Sequence, residues 1–175
     1  MERPWEIQRE RRARSQNVIN EIHFTHDRMS RLLRAMMSRE TKGALGDLIN
    51  VQYGHHLMAL RGIVSLALDL GLPPGLCVCA ESAALVEAVY TADRAPRADV
   101  NRSLRIMERL LEVHRYIIGS WNRLAEELKQ DAHDVALYRT AIKHQTREAE
   151  QHRALVRAIA GLQGGSPENG AMRSA

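Results

Sequence analysis

The segment His144-Gln-Thr-Arg-Glu148-Ala-Glu-Gln-His152 decides the fold, because it places ionisable groups on the apolar side of a long helix. Successive helical residues advance by about 100°, so His144, Glu148 and His152 rise along one side of a helix predicted over 134–162. The apolar residues of that side are Leu137, Tyr138, Ala141, Ile142, Ala149, Leu155, Val156 and Ile159. Glu148 and His152 fall near the middle of the stripe, and His144 falls at its edge. A buried, unpaired carboxylate is costly, so Glu148 needs a proton, a cation or a metal ion as its partner.

The composition predicts one soluble, all-α domain. Of the 175 residues, 45% are hydrophobic and 26% are charged, which is ordinary for a soluble protein with a sizeable core. Aromatic residues make up only 4%, and strands prefer aromatic and β-branched side chains. No apolar run reaches the ~18 residues of a membrane span, so we expect neither a membrane segment nor a secretory signal. Cys77 and Cys79 lie too close together for a disulfide framework, which favours a cytoplasmic protein.

Hydrophobic periodicity predicts four long helices and a short one, within a bundle domain at 16–162. In chain order, the predicted helices cover about 5–38, 41–71, 80–92, 99–130 and 134–162. Thr41 and Asp99 are candidate caps for two of the long helices, and Gly71-Leu-Pro-Pro-Gly75 ends the second. Two hairpins joined by a long crossover are typical of a four-helix bundle with one long connection.

The two ends of the chain differ from the bundle in composition. Residues 1–15 form a basic arm that continues into the first helix, and most of its arginines lie at 9–14. Such an arm can hold phosphates, but no aromatic platform or groove-reading motif accompanies it, so we do not expect nucleic-acid binding. The Gly/Ser/Pro-rich segment 163–175 is predicted to be a disordered tail.

Each long helix carries one histidine on its apolar stripe near the midpoint of the helix. The inward set consists of His26, His56, His114 and His152, together with Glu148. Helix midpoints of an antiparallel bundle lie in one layer, so we predict that these five groups converge. Gln52 lies one turn before His56 on the same side, whereas His55 and His23 point toward the edges of their stripes.

Two interpretations of this set remain open. A single histidine on an apolar stripe is usually a hydrogen-bonded core residue, which would make the protein a non-metal helical interaction module. Five polar groups buried at one depth, however, leave many donors and acceptors to satisfy. Imidazole and carboxylate together suit iron, zinc, manganese or copper. We therefore predict a buried, histidine-rich transition-metal centre with the inward set as ligands and iron as the first candidate.

The layout of the chain resembles the ferritin-like superfamily, most nearly its YciE/YciF-type branch. The similar features are a second helix that runs into Leu70-Gly71-Leu-Pro-Pro, then a cysteine and a short acidic helix from Glu81. A long hairpin with Ala125-Glu-Glu-Leu128 near its turn follows. The resemblance covers roughly residues 16–160 and implies a role in metal handling, redox chemistry or stress response. It also favours a homo-oligomer, which we expect to be a dimer.

Members of that superfamily typically place a lone Glu on the first and third helices and Glu plus His on the second and fourth. Carried onto this chain, the positions would be His26, Gln52 with His56, His114, and Glu148 with His152. Only the fourth-helix pair keeps both residue types, with spacing E-x-x-x-H instead of E-x-x-H. The missing carboxylates imply a mononuclear or otherwise histidine-rich site in place of a di-iron centre.

Other motifs are weaker. Cys77-Val-Cys79 offers two thiolates, which make an incomplete metal site, so we expect buried apolar cysteines. Arg109…His114 and Arg139…His144 share R-x4-H spacing, similar to the signature of HEPN ribonucleases, which is an alternative function. No Gly-rich phosphate loop or nucleophile elbow is present, so no reaction is assigned.

Overall fold

The computed structural model describes residues 4–40, 43–75, 77–99, 101–129 and 135–164. The described chain forms the helices α1 (Pro4–Met37), α2 (Gly43–Asp69), α3 (Ala80–Asp93), α4 (Arg102–Lys129) and α5 (Val135–Gly164), and these ranges contain no strand. The predicted all-α class is therefore confirmed. The predicted cap at Thr41 and the tail from 165 onward lie outside the described residues.

The four long helices pack in pairs around a shared core. α1 lies along α2 and α4 lies along α5, while α1 also contacts α4 and α2 also contacts α5. The short helix α3 covers α1 and α4. The predicted stripes of α1 and α4 are buried, with Trp121 as the largest fully buried side chain. The stripe of α5 is narrower than predicted, since Val156 is 43% exposed.

Gly71 and Asn101 lie at two of the helix ends. Gly71 has φ +63°, and its N–H donates to Leu68 O while the N–H of Leu72 donates to Ala67 O. This double hydrogen bond satisfies the last carbonyls of α2 and favours glycine, because other residues rarely adopt positive φ. Just before α4, Asp99 Oδ1 accepts the backbone N–H of Asn101 at 2.9 Å. Asn101 itself holds the cap position, because its carbonyl accepts the first helical hydrogen bond, from the N–H of Arg105. The predicted cap at Asp99 is therefore wrong by two residues.

The described part of the basic arm belongs to α1 and contacts the rest of the protein. Arg12 donates to Gly71 O at 3.0 Å, and Arg14 donates to Glu127 at 2.9 Å.

The prediction of buried cysteines is wrong for Cys77, which is exposed, whereas Cys79 is partly buried and its Sγ lies 3.0 Å from Tyr116 Oη. Among the described residues, no helix is both long and apolar enough to cross a membrane.

Candidate metal centre

A carboxylate near the middle of α5 is surrounded by imidazoles. Glu148 is 1% exposed, and its two oxygens each lie 2.7 Å from a ring nitrogen, Oε1 from His55 Nε2 and Oε2 from His114 Nδ1. Nε2 of His26 lies 3.4 Å from Oε1. These rings come from α2, α4 and α1, so all four long helices contribute to the cluster.

Gln52 fixes the orientation of the His114 ring. The Gln52 amide nitrogen donates to Gln151 Oε1 at 3.2 Å, which turns its oxygen toward His114 Nε2 at 2.7 Å. His114 therefore donates from Nε2, while its Nδ1 also makes a hydrogen bond to Glu148. A neutral ring that carries its proton on Nε2 has only a lone pair on Nδ1, and an ionised carboxylate has no proton to donate. The hydrogen bond between them therefore needs one further proton, which His114 and Glu148 share and which a cation can replace.

His26 and His56 form a second, incompletely paired part of the cluster. Their Nδ1 atoms lie 2.8 Å apart, so one ring donates to the other. Neither Nε2 has a hydrogen-bond partner, although both rings are fully buried. If His26 Nε2–H faces Glu148, its Nδ1 accepts from His56 and leaves His56 Nε2 as a buried lone pair without a donor. An unpaired buried acceptor is costly unless a ligand completes it.

The four rings form one compact group with Glu148. Centroids of contacting ring pairs are 4.9 to 6.2 Å apart, and the His56 ring stacks on the His114 ring at 5.5 Å. We call His26, His55, His56, His114 and Glu148 the histidine cluster. Donor atoms of His55, His114 and Glu148 all lie within 4.8 Å of one another, close enough for the three to contact one ion.

Burial controls the protonation of this cluster. Desolvation lowers the pKa of His26 to about 4, although Glu148 opposes that shift. Desolvation likewise lowers the pKa of His56 well below its ordinary value, and the charges of His26 and His114 act in the same direction. Burial alone would raise the pKa of Glu148, but the charge of His26 and the hydrogen bonds from His114 and His55 hold it well below its usual range. Neutral imidazole and ionised carboxylate are the forms that bind metal ions, so a bound ion would take the place of the proton that His114 and Glu148 share.

The structure brings together four of the five predicted site residues: His26, His56, His114 and Glu148. It places His152 outside the histidine cluster. That ring is partly exposed, and its Nε2 accepts a hydrogen bond from Arg115 Nε at 3.2 Å. The proposed E-x-x-x-H pair with Glu148 is therefore not formed in this structure.

His55 was missed by the sequence analysis, which placed it at the edge of the α2 stripe. α2 packs against both α1 and α5, so it buries two faces and not one. His56 turns toward α1, where it meets His26, and His55 turns toward α5, where it meets Glu148. The i, i+3 spacing of Gln52 and His55 is the sequence signal that could have found it, because residues three apart share a helix face.

The first R-x4-H pair does not form a joint site. Arg109 is exposed and makes an ion pair with Glu112, whereas His114 is fully buried in the histidine cluster. His144 of the second pair stacks on Trp121 with ring centroids 4.9 Å apart. The first pair therefore places its two side chains in different environments, one facing solvent and one in the core.

The site is thus a buried imidazole–carboxylate cluster inside an all-helical protein. No family model, curated protein or solved structure matches this chain.

Proposed function

We propose that this protein binds a transition-metal ion in the histidine cluster, with His55, His114 and Glu148 as the principal ligands. The observation that carries the proposal is the convergence of their donor atoms within 4.8 Å at a buried position. Nε2 of His26, 3.4 Å from the same carboxylate, is the nearest further nitrogen. Three protein ligands with an additional open position are typical of metal sites that exchange a bound ligand.

The surroundings of these ligands support metal binding. Gln52 Oε1 accepts from His114 Nε2, which leaves Nδ1 directed at Glu148 and the ion. Ligating histidines usually donate their other N–H in this way, since the hydrogen bond fixes the ring and its tautomer. The proton that His114 and Glu148 share would leave when the ion binds, so binding releases a proton.

The donor set indicates which metals suit the site. Nitrogen donors with one carboxylate favour iron, zinc, manganese or copper, and a bound ion would act there as a Lewis acid or a redox centre. Glu148 is the only carboxylate in the histidine cluster, which favours one ion and disfavours a carboxylate-bridged pair. Two helical hairpins and a crossover carrying α3 are consistent with a ferritin-like four-helix bundle. We therefore propose iron first, in metal handling, redox chemistry or stress response.

Metal content tests the proposal directly. Protein purified without an affinity tag should hold about one transition-metal ion per chain by elemental analysis, or take one up from Fe²⁺, Zn²⁺, Mn²⁺ or Cu²⁺ after stripping. Glu148→Gln and His114→Leu should each lower the affinity at least about tenfold, because each removes a ligand. His152→Leu is the matched control on α5 and should bind like the parent protein.

The alternative is a helical module whose histidines are structural. The hydrogen-bonded chain from Gln151 through Gln52 and His114 to Glu148 favours it, since those contacts need no ion. Absence of metal, with no uptake of any of the four ions, would establish this alternative. Equal and small effects of Glu148→Gln, His114→Leu and His152→Leu on binding would also contradict the metal centre.

A further inference from the structure

α2 and α5 pack antiparallel along a polar seam. Three contacts define its register: Gln52 with Gln151, His55 with Glu148, and Gly62 with His144. Residue numbers rise along α2 as they fall along α5, so the seam passes from the glutamine pair through the histidine cluster to His144. The core that the long helices share is otherwise lined by a cluster of apolar residues.

The histidine cluster comes closest to solvent at this seam. His55 has a side-chain exposure of 12%, whereas Glu148 has 1% and the rings of His26 and His114 have none. An ion that reaches the buried carboxylate must pass polar atoms, because an unpaired ion in apolar surroundings is strongly disfavoured. His55 is therefore the member of the cluster that an arriving ion meets first.

His144 lies one helical turn before Glu148, and its ring fills the space beside Gly62 that a side chain at that position would need. A Cβ added to Gly62 would lie 2.0 Å from His144 Cε1, so no residue with a side chain fits at 62 without displacing the ring. The ring also lies nearly parallel to Trp121, at an interplanar angle of 10°. The position of this imidazole is therefore fixed by packing against Gly62 and Trp121.

His144 has the chemistry of a transient ligand. It is only partly buried, and its ring nitrogens make no hydrogen bond to any residue that the structure describes. Desolvation, helped by Arg147, lowers its pKa below the ordinary value, so the ring is neutral at physiological pH. A neutral imidazole keeps a lone pair available for a metal ion.

We propose that the α2–α5 seam is the route by which a metal ion enters the histidine cluster, with His144 as the first ligand and His55 as the next. This inference rests on the proposed metal binding. His144 acts on the way to the site and is not a ligand of the bound ion, so it determines the rate of loading and not the final affinity.

Stopped-flow absorbance with Co²⁺ as the probe tests the route, because Co²⁺ bound by nitrogen and oxygen ligands is coloured. The experiment uses the metal-free full chain and His144→Phe, which keeps an aromatic ring beside Trp121 and removes the ring nitrogens. We expect association and dissociation to slow together by roughly tenfold, with an unchanged dissociation constant. His23→Phe, a partly buried histidine of α1, is the control and should load at the parent rate.

A pair of glycine variants tests the same route without touching a histidine. Gly62→Ala should displace the His144 ring and slow Co²⁺ loading, since the new methyl group takes the space of Cε1. Gly54→Ala on the same helix meets nothing within 4 Å and should leave loading unchanged. Circular dichroism identifies any variant that fails to fold, and the other variant then decides.

The outcomes separate the two proposals. Loading at the parent rate in both His144→Phe and Gly62→Ala would overturn the seam route and leave the metal centre standing. A dissociation constant that rises as much as the association rate falls would also overturn it, because His144 would then be a ligand of the bound ion. Failure of the parent protein to bind any of Co²⁺, Fe²⁺, Zn²⁺, Mn²⁺ and Cu²⁺ would overturn the metal centre and the route together.

Discussion

Two polar clusters in the described part of the chain satisfy their hydrogen bonds in different ways. Arg102 donates from all three nitrogens: Nε to Asp93 O at 2.9 Å, Nη2 to Asp93 Oδ1 at 2.7 Å and Nη1 to Glu40 Oε1 at 2.6 Å. Arg39 makes a further contact with the other oxygen of Asp93. We call these four residues the arginine cluster. The histidine cluster, in contrast, leaves Nε2 of His26 and of His56 unpaired.

The difference follows from the residues used. A guanidinium is always charged and carries donors only, so carboxylates complete it and no lone pair is left over. A neutral imidazole has one donor and one acceptor, and a group of them around a single carboxylate cannot pair every nitrogen. The arginine cluster therefore joins the ends of α1 and α3 to the start of α4, while the histidine cluster retains capacity for a ligand.

The largest effect is expected from breaking the arginine cluster. Arg102→Ala leaves the buried carboxylate of Asp93 with Arg39 alone and removes a partner of the partly buried Glu40, which should lower the free energy of unfolding by about 3–5 kcal/mol. Urea unfolding followed by circular dichroism at 222 nm measures it. Arg109→Ala is the control on the same helix and removes only an exposed ion pair, so it should cost at most about 0.5 kcal/mol. A similar, small loss for both variants would show that the arginine cluster does not stabilise the fold.

Acid should lower the stability of the metal-free protein, because it protonates the buried rings of the histidine cluster. The pKa of His26 is about 4 in the folded protein against 6.5 for the free side chain, so between these values the unfolded chain binds more protons. Stability is thus fully present above about pH 6.5 and is lost as the pH falls toward 4, by about 3 kcal/mol from His26. The lowered pKa values of His56 and Glu148 act in the same direction.

Chemical denaturation of metal-stripped protein at several pH values between 7.5 and 4 measures this loss. His26→Leu should reduce the pH dependence, because it removes the imidazole that resists protonation in the folded state. Bound metal should increase the stability above pH 6.5 and should be released on acidification, since protons compete for the same nitrogens. A free energy of unfolding that does not change from pH 7.5 to 4 would contradict the buried, neutral state of these rings.

The smallest effect is expected at His152. Among the residues that the structure describes, its hydrogen-bond partner is the exposed Arg115, so His152→Leu should change the free energy of unfolding by at most about 0.5 kcal/mol. Metal content should not change either. Loss of metal in this variant would show that His152 moves into the histidine cluster when an ion binds.

Several features were predictable from the sequence because they depend on local chemistry. Periodicity located all five helices, and the glycine at 71 fixed the end of α2 through its positive φ. The apolar stripes also directed His26, His56, His114 and Glu148 into the core. A helical wheel is sufficient for these residues, because each of them lies on the main buried side of its helix.

Tertiary packing decided the partners within the cluster. Since α2 contacts two helices, adjacent residues His55 and His56 both turn inward, one toward Glu148 and the other toward His26. On α5 the buried side is narrow, so Glu148 is enclosed while His152, one turn later, meets Arg115 at the surface. The sequence determined which helices form and which polar groups they bury. The crossing of α2 and α5 determined which of those groups meet, because contact across helices depends on register and not on the periodicity of either helix alone.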